Sequence, residues 1–448
     1  MSVEQGAPDT LWRATVGPKP VFHRLDGPAE VEVAIVGGGF TGLSAALHLA
    51  RRGVEVLLLE AREIGWGASG RNAGFVVPNF SKADPAAVME KLGRENGKRL
   101  LDLVGRGGDR VFEIAREAGL GRQAEQTGWL QPAHSPAVAK TLQGLVEAWR
   151  TLGRSVHWID AAETARRTGM EIYHGALADP SGGIINPLAY VRALASAAAE
   201  AGAQIVEDAA VTKVNSAGGG WLLETTQGNV RAAKVLLCTN AEEEGAASLL
   251  ARLVIPLNVY QIATEPLPRQ VTERFSPLRE PVSDTRSNIF TFRLDADNRL
   301  ISGGMAILPI GAERRMGLRI VRRLASELNL TEVPCLAHVW RGTAAVTTDF
   351  LPHIFQLGPG FLGAVGCNGR GIAMTTMLGE VLADAATGVA LEALPVPVTE
   401  AAPIAFRPLA RAAPSAFLLR GLWDDWRTTT RRTAAKAENA PTLKGEVS

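Results

Sequence analysis

The chain has only three cysteines, Cys238, Cys335 and Cys367, far apart and odd in number. That argues against a disulfide framework and for a reduced cytosolic compartment. Its formal net charge is only +1, which gives no electrostatic ground to expect nucleic acid or an anionic membrane as a partner. No apolar run approaches the ~18 residues of a bilayer-spanning helix. The opening MSVEQGAPDTLWRATV lacks both a basic start and an apolar core, so no secretory signal is visible and a soluble, cytoplasmic protein is expected. His134, His157 and His174 have no metal-ligand spacing, so no metal site is expected. Repeats and long low-complexity linkers are missing too, and nothing sets an oligomeric state.

What is present is a globular composition, 46% hydrophobic and 21% charged over 448 residues, long enough for two domains. The stretch VAIVGGGFTGLSAALHLARRGVEVLLLE, residues 33 to 60, reads as strand, glycine turn, helix, strand. Gly37 allows the sharp turn, Gly39 lets backbone approach a pyrophosphate, and Gly42 lets the helix lie on the strand. The helix from Phe40 and Thr41 to Arg51 aims its N-terminal amides at that phosphate. Glu60 ends the second strand, where an acid accepts hydrogen bonds from a ribose diol. At this point the occupant is FAD or NAD.

After Glu60 comes AREIGWGASGRNAGFVVPNF, a poor helix and a poor strand, best read as chain wrapped around an extended cofactor. With the first βαβ unit it resembles the FAD-dependent oxidoreductases of the D-amino acid oxidase and glycine oxidase superfamily. It is most similar to the gamma-glutamylputrescine oxidase and pipecolate oxidase branch. The resemblance implies FAD contacts from Ala61 and Arg62, and from Gly67, Ala68, Ser69, Gly70, Arg71, Asn72, Ala73 and Gly74, which pass the pyrophosphate and the flavin ring.

Before residue 28, Pro18, Pro20 and Pro28 predict an extended surface arm. From Asp84 to about Arg167 the spacing predicts helices with one buried face, broken at Gly105-Arg106-Gly107-Gly108. Asn186-Pro187 opens a helix that Gly202 stops. AQIVEDAAVTKV reads as one strand, followed by a hairpin and the buried strand AAKVLLCTNA. The resemblance places Val211 at the adenine end and Thr239 and Asn240 beside the cofactor. Strands are read around Tyr260, Gln261, Arg286, Asn288, Phe290 and Arg293, with a hairpin at Asp295 to Asn298 and a strand-end turn at Gly303-Gly304, and the resemblance implies that this sheet lies over one flavin face. A one-residue slip exchanges the faces, so the inward set stays open.

FLGAVGCNGRGIAMTTMLGEVLADAATG is a second strand, glycine turn and helix. In the family this helix points at the pyrimidine side of the ring, where its amides stabilise the anionic reduced flavin. Asn368, Gly369, Arg370, Gly371, Ile372 and Ala373 are the cofactor-side residues implied, with Gly342 upstream. WRGTAAVTTDFLP is similar to the family's W-x-G-x-R-P-x-T-x-D-x-x-P stretch but has Ala344 where amino acid oxidases carry a carboxylate-clamping arginine, and Ala345 where they carry proline. Neither the cysteine nor the histidine used elsewhere in the superfamily for flavin linkage is matched, so non-covalent FAD is expected. No lysine lies between Lys234 and Lys436, leaving oxygen or another electron acceptor open.

The architecture expected is α/β: a Rossmann-like FAD-binding domain of split segments (30–84, 186–245 and 340–395) and an α+β substrate domain (85–185 and 246–339) with a mainly antiparallel sheet. An arm (1–29) and a tail (396–448) flank them. In the tail, Phe406, Leu409, Phe417, Leu418, Leu422, Trp423 and Trp426 are expected to pack and the end to be disordered. The expected reaction is oxidation of a small-molecule amine or amino acid derivative at its carbon–nitrogen bond, with hydride passing to flavin N5 and the imine hydrolysing. Asn72, Arg341, Asn368 and Arg370 are the substrate-side candidates for orientation or charge stabilisation. An NAD(P)H-dependent flavin monooxygenase and a non-catalytic FAD-binding protein are the alternatives.

Overall fold

The strand Ala29–Val36 runs through the middle of a nine-stranded sheet. A computed structural model gives the architecture and describes residues 9–22, 24–306, 311–407, 415, 419 and 420. Val33, Ala34 and Ile35 are fully buried, as a strand covered on both faces requires. Around it, Phe361–Val365, Gly228–Leu237, Ala29–Val36, Val56–Leu59 and Gln204–Val206 lie side by side, all parallel. Their carboxyl ends, at Val365, Leu237, Val36 and Leu59, therefore share one edge. Strands His353–Gly358 and Val398–Glu400 extend one side, and the hairpin Val211–Ala217 with Gly220–Thr225 is attached to Gly228–Leu237.

Helices Phe40–Arg51 and Gly371–Ala386 each follow one of these parallel strands, so both N-termini open at the same edge. They cross at Gly379, where a side chain would press on Thr41 O and Ala45 N at 2.6 and 2.7 Å. A second sheet of eight strands runs in the order Leu336–Val346, Ile255–Pro266, Arg299–Gly304, Thr291–Leu294, Val282–Ser283, Trp129–Pro132, Ala176–Asp179 and His157–Ile159. Helix Ala312–Glu327 covers one of its faces, burying Met316, Ile320 and Leu324 with Tyr260 and Ile262. The hairpin at Asp295 to Asn298 forms as expected, with Asn298 at φ +64°.

Five local expectations are corrected. The arm is not wholly extended: Leu11–Thr15 is a helix capped by Thr10 Oγ1, with Leu11 and Trp12 buried. Tertiary burial of those two side chains outweighs the extended bias of the nearby prolines. Helix Arg94–Glu117 runs unbroken through Gly105 to Gly108. Each glycine costs about 1 kcal/mol of helix propensity. Close approach offsets this, since a Cβ on Gly107 would meet Ala373 Cβ at 3.2 Å and one on Gly108 would collide with Ser181 O.

AQIVEDAAVTKV divides into Gln204–Val206 and Val211–Ala217. Asp208, at φ +57°, turns the chain and donates its amide to Arg62 O at 2.8 Å. Gly303 and Gly304 stand at the strand's end, as expected, but are its last two residues rather than a turn, paired with Gln261 and Tyr260. The Gln261 and Met316 side chains occupy the space a Cβ would need there. Phe406 does not pack but is 81% exposed, while its neighbour Arg407 bonds Glu243 and Ala251 O. Leu409, Phe417, Leu418, Leu422, Trp423, Trp426 and the expected disordered end lie outside the described residues.

Candidate active site

The site is assembled where the carboxyl ends of the parallel strands meet the second sheet, the usual ligand position in an open α/β sheet. Gly37 sits at φ +110°, a conformation only glycine holds without strain. A Cβ on Gly42 would collide with Gly37 O, so the turn closes only with glycine there. Phe40 N donates to Ser69 Oγ at 3.0 Å, which brings the later glycine loop onto the first turn of helix Phe40–Arg51. Phe40 and Thr41 are buried, the Phe40 ring lying 5.4 Å from Tyr190.

Glu60 accepts from Gly38 N at 2.6 Å and Arg62 N at 3.0 Å. Loss of solvent pushes its carboxyl up to about 6 despite those two amides. Ala61 and Arg62 continue the turn, the Arg62 guanidinium lying 4.9 Å over Trp66. Val211 is buried at the start of its strand. At the end of Gly228–Leu237 the Thr239 hydroxyl is buried with no partner among the described residues. Asn240, at φ +54°, donates Nδ2 to Thr343 O at 3.0 Å and so joins the two sheets.

The loop from Gly67 to Gly74 is organised by Asn72. Its Nδ2 donates to Ala68 O and Ser69 O at 3.2 and 2.9 Å, and its Oδ1 accepts from Gly74 N at 2.9 Å. Asn72's side chain is thus used within the loop. Arg71 Nε donates to Trp66 O at 2.7 Å. Gly70 is wedged on Gly65 and Ala73 packs on the core.

The strand register decides which sheet residues face the loop. Trp340 Nε1 donates to Arg71 O at 2.9 Å, so the face carrying Trp340 is turned to the loop. Gln261 is paired with both Trp340 and Gly303, and directly paired residues share a face. Two residues on along the same strand, Gly342 lies so close that a Cβ on it would be 3.2 Å from Arg71 O, and Ala344 follows. Arg293 shares the face through its pairing with Ile301, and burial lowers its guanidinium to about 10.

Arg341 is set on the opposite face, paired with Tyr260 beside helix Ala312–Glu327. Arg286 turns to Asp284 and Glu327, with Nη2 to Glu327 Oε2 at 2.7 Å. Arg370 precedes helix Gly371–Ala386, where its guanidinium bonds Phe80 O and lies 4.9 Å over Trp129. Asn368, at φ +44°, holds the turn by accepting from Thr347 N at 2.9 Å. Gly369, Gly371, Ile372 and Ala373 form the turn and first helical residues, the last two buried. Cys367 Sγ donates to Ala345 O at 3.2 Å, and burial raises its thiol. Trp12, missed in sequence, donates Nε1 to Asn72 O at 2.8 Å; a five-residue helix gives too few turns for its buried face to show.

These residues suit an extended dinucleotide with a ring at its far end. A tight glycine turn, a helix N-terminus, an acid at the second strand's end, the orphaned Thr239 hydroxyl and a second helix N-terminus lie along one sheet edge. Among the described residues no His, Cys, Asp or Glu group could hold a metal ion, and no helix is long and apolar enough to cross a membrane.

Comparison with known proteins agrees with this reading. The family model described as FAD dependent oxidoreductase (DAO) matches residues 32–385. The chain is 32% identical over 391 residues to the probable oxidoreductase OrdL of Rhizobium meliloti, covering 86% of this chain and 90% of that one. It is 30% identical over 369 residues to the gamma-glutamylputrescine oxidoreductase of Escherichia coli, covering 82% and 86%. The crystal structure of glycine oxidase from Geobacillus kaustophilus superposes with a TM-score of 0.65 at 24% identity, over 80% of this chain and 95% of that one. With a family model spanning most of the chain and its glycine turns built as that cofactor requires, the protein belongs to the DAO family of FAD dependent oxidoreductases.

Proposed function

We propose that the protein oxidises an amine or amino acid derivative at its carbon–nitrogen bond and releases an imine that hydrolyses in water. Bound FAD would supply the acceptor for the hydride, at its N5 position, and pass the electrons to oxygen or another acceptor. The observation that carries the reading is Gln261. Its side chain is buried on the sheet face turned toward the cofactor loop, and its Oε1 has no partner among the described residues. A buried amide oxygen left without a donor costs free energy, and a substrate N–H supplies that donor. Gly303 makes room for it, since a Cβ there would collide with Gln261 Oε1.

On the same face Ala344 offers no guanidinium, so an α-carboxylate is not clamped there. This supports an amine or an amino acid derivative over a simple α-amino acid. The gamma-glutamylputrescine oxidoreductase relative points the same way. No acid–base side chain is assigned, because an amine that arrives neutral needs none. FAD is read as non-covalent, with Cys367 turned to Ala345 O.

Anaerobic titration of the yellow protein with polyamines, N-methylated amines, cyclic imino acids and amino acids tests the proposal. Bleaching by an amine with formation of the corresponding carbonyl is the expected outcome. Bleaching by NADPH alone, with no response to any amine, would replace it with the monooxygenase reading.

A further inference from the structure

Two indoles from distant parts of the chain grip consecutive peptide groups of the cofactor loop. Trp340 donates Nε1–H to Arg71 O at 2.9 Å, and Trp12 donates Nε1–H to Asn72 O at 2.8 Å. The two rings meet edge to face at 5.8 Å, and their residues are only 3% and 2% exposed. Arg293 completes the group, its guanidinium 5.0 Å over the Trp12 ring and its Nη2 bonded to Ile185 O at 3.2 Å. A Cβ on Gly74 would come within 2.7 Å of that nitrogen, so the cation also rests against the loop's far end.

In a planar trans peptide the C=O and the following N–H point in opposite directions. Carbonyls 71 and 72 turned toward the indoles therefore direct the amides of Asn72 and Ala73 the other way. The Asn72 side chain, tied to Ala68 O, Ser69 O and Gly74 N, prevents the loop from rotating as a unit. Donors fixed in this way need no reorganisation when negative charge develops opposite them.

We propose that Trp12 and Trp340 are positioning residues for the flavin: together they hold the amides of Asn72 and Ala73 as donors toward the bound ring, so the N-terminal helix Leu11–Thr15 is part of the cofactor site. The inference rests on the FAD reading of the loop but not on the identity of the amine.

Trp12→Phe and Trp340→Phe keep an aromatic ring but lose the indole N–H together with one of the two fused rings, and Trp12→Leu removes aromaticity altogether and serves as the packing control. Each variant and the double Phe variant would be stripped and reconstituted with FAD. The readouts are the FAD dissociation constant from flavin fluorescence, the visible spectrum, the flavin midpoint potential by dye equilibration, and the melting curve of the flavin-free protein. Each Phe variant is expected to bind FAD roughly fivefold more weakly, the equivalent of one net hydrogen bond of about 1 kcal/mol. Each is also expected to have a lower midpoint potential, with a flavin-free melting curve lowered no further than that of Trp12→Leu, because both the lost donor and the smaller ring cost some stability. In the double Phe variant the loss should differ from the product of the single losses, because the indoles touch. Unchanged FAD affinity and potential in all Phe variants, with loss confined to Trp12→Leu, would overturn the proposal and leave the indoles as packing alone. A parent protein that takes up no FAD at all would instead overturn the cofactor reading itself, and this inference with it.

Discussion

Asn368 and Thr347 join the last glycine turn to the strand that crosses the cofactor loop: Asn368 Oδ1 accepts the Thr347 amide at 2.9 Å, with the Thr347 hydroxyl at 3.1 Å. Asn368 does this from φ +44°, a conformation asparagine tolerates better than most residues. Asn368→Ala loses the acceptor and keeps the backbone strain, and is expected to cost about 2–4 kcal/mol in a urea melt. Asn368→Gly relieves the strain and should recover about 1 kcal/mol of that. Equal stabilities for the two variants would show that the backbone conformation contributes nothing.

Gly105 and Gly108, in helix Arg94–Glu117, are expected to respond differently to alanine. Gly105 faces the Arg154 stem, with Cδ at 3.2 Å from a Cβ, and Arg154 is held by Asp179 and the Trp149 ring, so the crowding offsets the propensity gain and Gly105→Ala should lie within about 1 kcal/mol of neutral. Gly108 faces the backbone carbonyl of Ser181, which cannot swing away. Gly108→Ala should therefore destabilise by about 1–3 kcal/mol. Thermal melts of the two variants, with Gly108→Ala melting the lower, check the packing.

Glu60 gives a pH dependence of defined sign. Burial raises its carboxyl from an ordinary 4.5 to about 6, so between those values the folded, flavin-free protein holds more protons than the unfolded chain. The Glu60 contribution to stability is thus full below an ordinary carboxyl's 4.5 and declines as pH rises through about 6. A ribose diol donates to the ionised form, so FAD affinity should strengthen over the same interval. Dissociation constants measured from about pH 5 to about pH 7.5 check this, and a flat profile would count against Glu60 as the ribose ligand.

Ala344→Arg would place a guanidinium on the face that carries Gln261. It is expected to lower KM for α-amino acids by about tenfold or more, the worth of one charge-assisted contact, and to raise KM for the native amine. Steady-state kinetics on both substrate classes distinguishes a gained carboxylate contact from general damage.

The cofactor cradle was legible in sequence because its chemistry is local. Gly37, Gly39 and Gly42 fall within one turn, and the strand before and the acid after them are fixed by short-range geometry. Which sheet face is turned to the cofactor loop was not legible. A strand alternates its side chains with period two, so Gln261 and Arg341 could be assigned inward or outward only once the pairing register was known. Arg341, expected near the reacting atoms, is on the helix-covered face beside Tyr260. The glycines at 105 to 108 read as a break because their packing partners, Ala373 and Ser181, are remote in sequence. Trp12 gave no signal for the same reason: its acceptor, Asn72 O, is sixty residues away.

The order of the strands in the central sheet bears on how the protein is made. Ala29 is in register with Val230, and Val235 in turn with Phe361. During synthesis the first strand therefore waits about two hundred residues for one neighbour, and the strand that neighbour belongs to waits more than a hundred for its own. At about 5–20 residues per second the unpaired edge stands open for roughly ten seconds or longer. Slow pairing of distant strands exposes apolar surface while it lasts. Free flavin cannot shorten that interval, because the second glycine turn emerges only near the end of the chain. Chaperone dependence on overexpression is the expected consequence, as is failure of a product truncated before Gly371 to hold the flavin, because one cofactor site is split between the turn at Gly37 and the turn before Gly371.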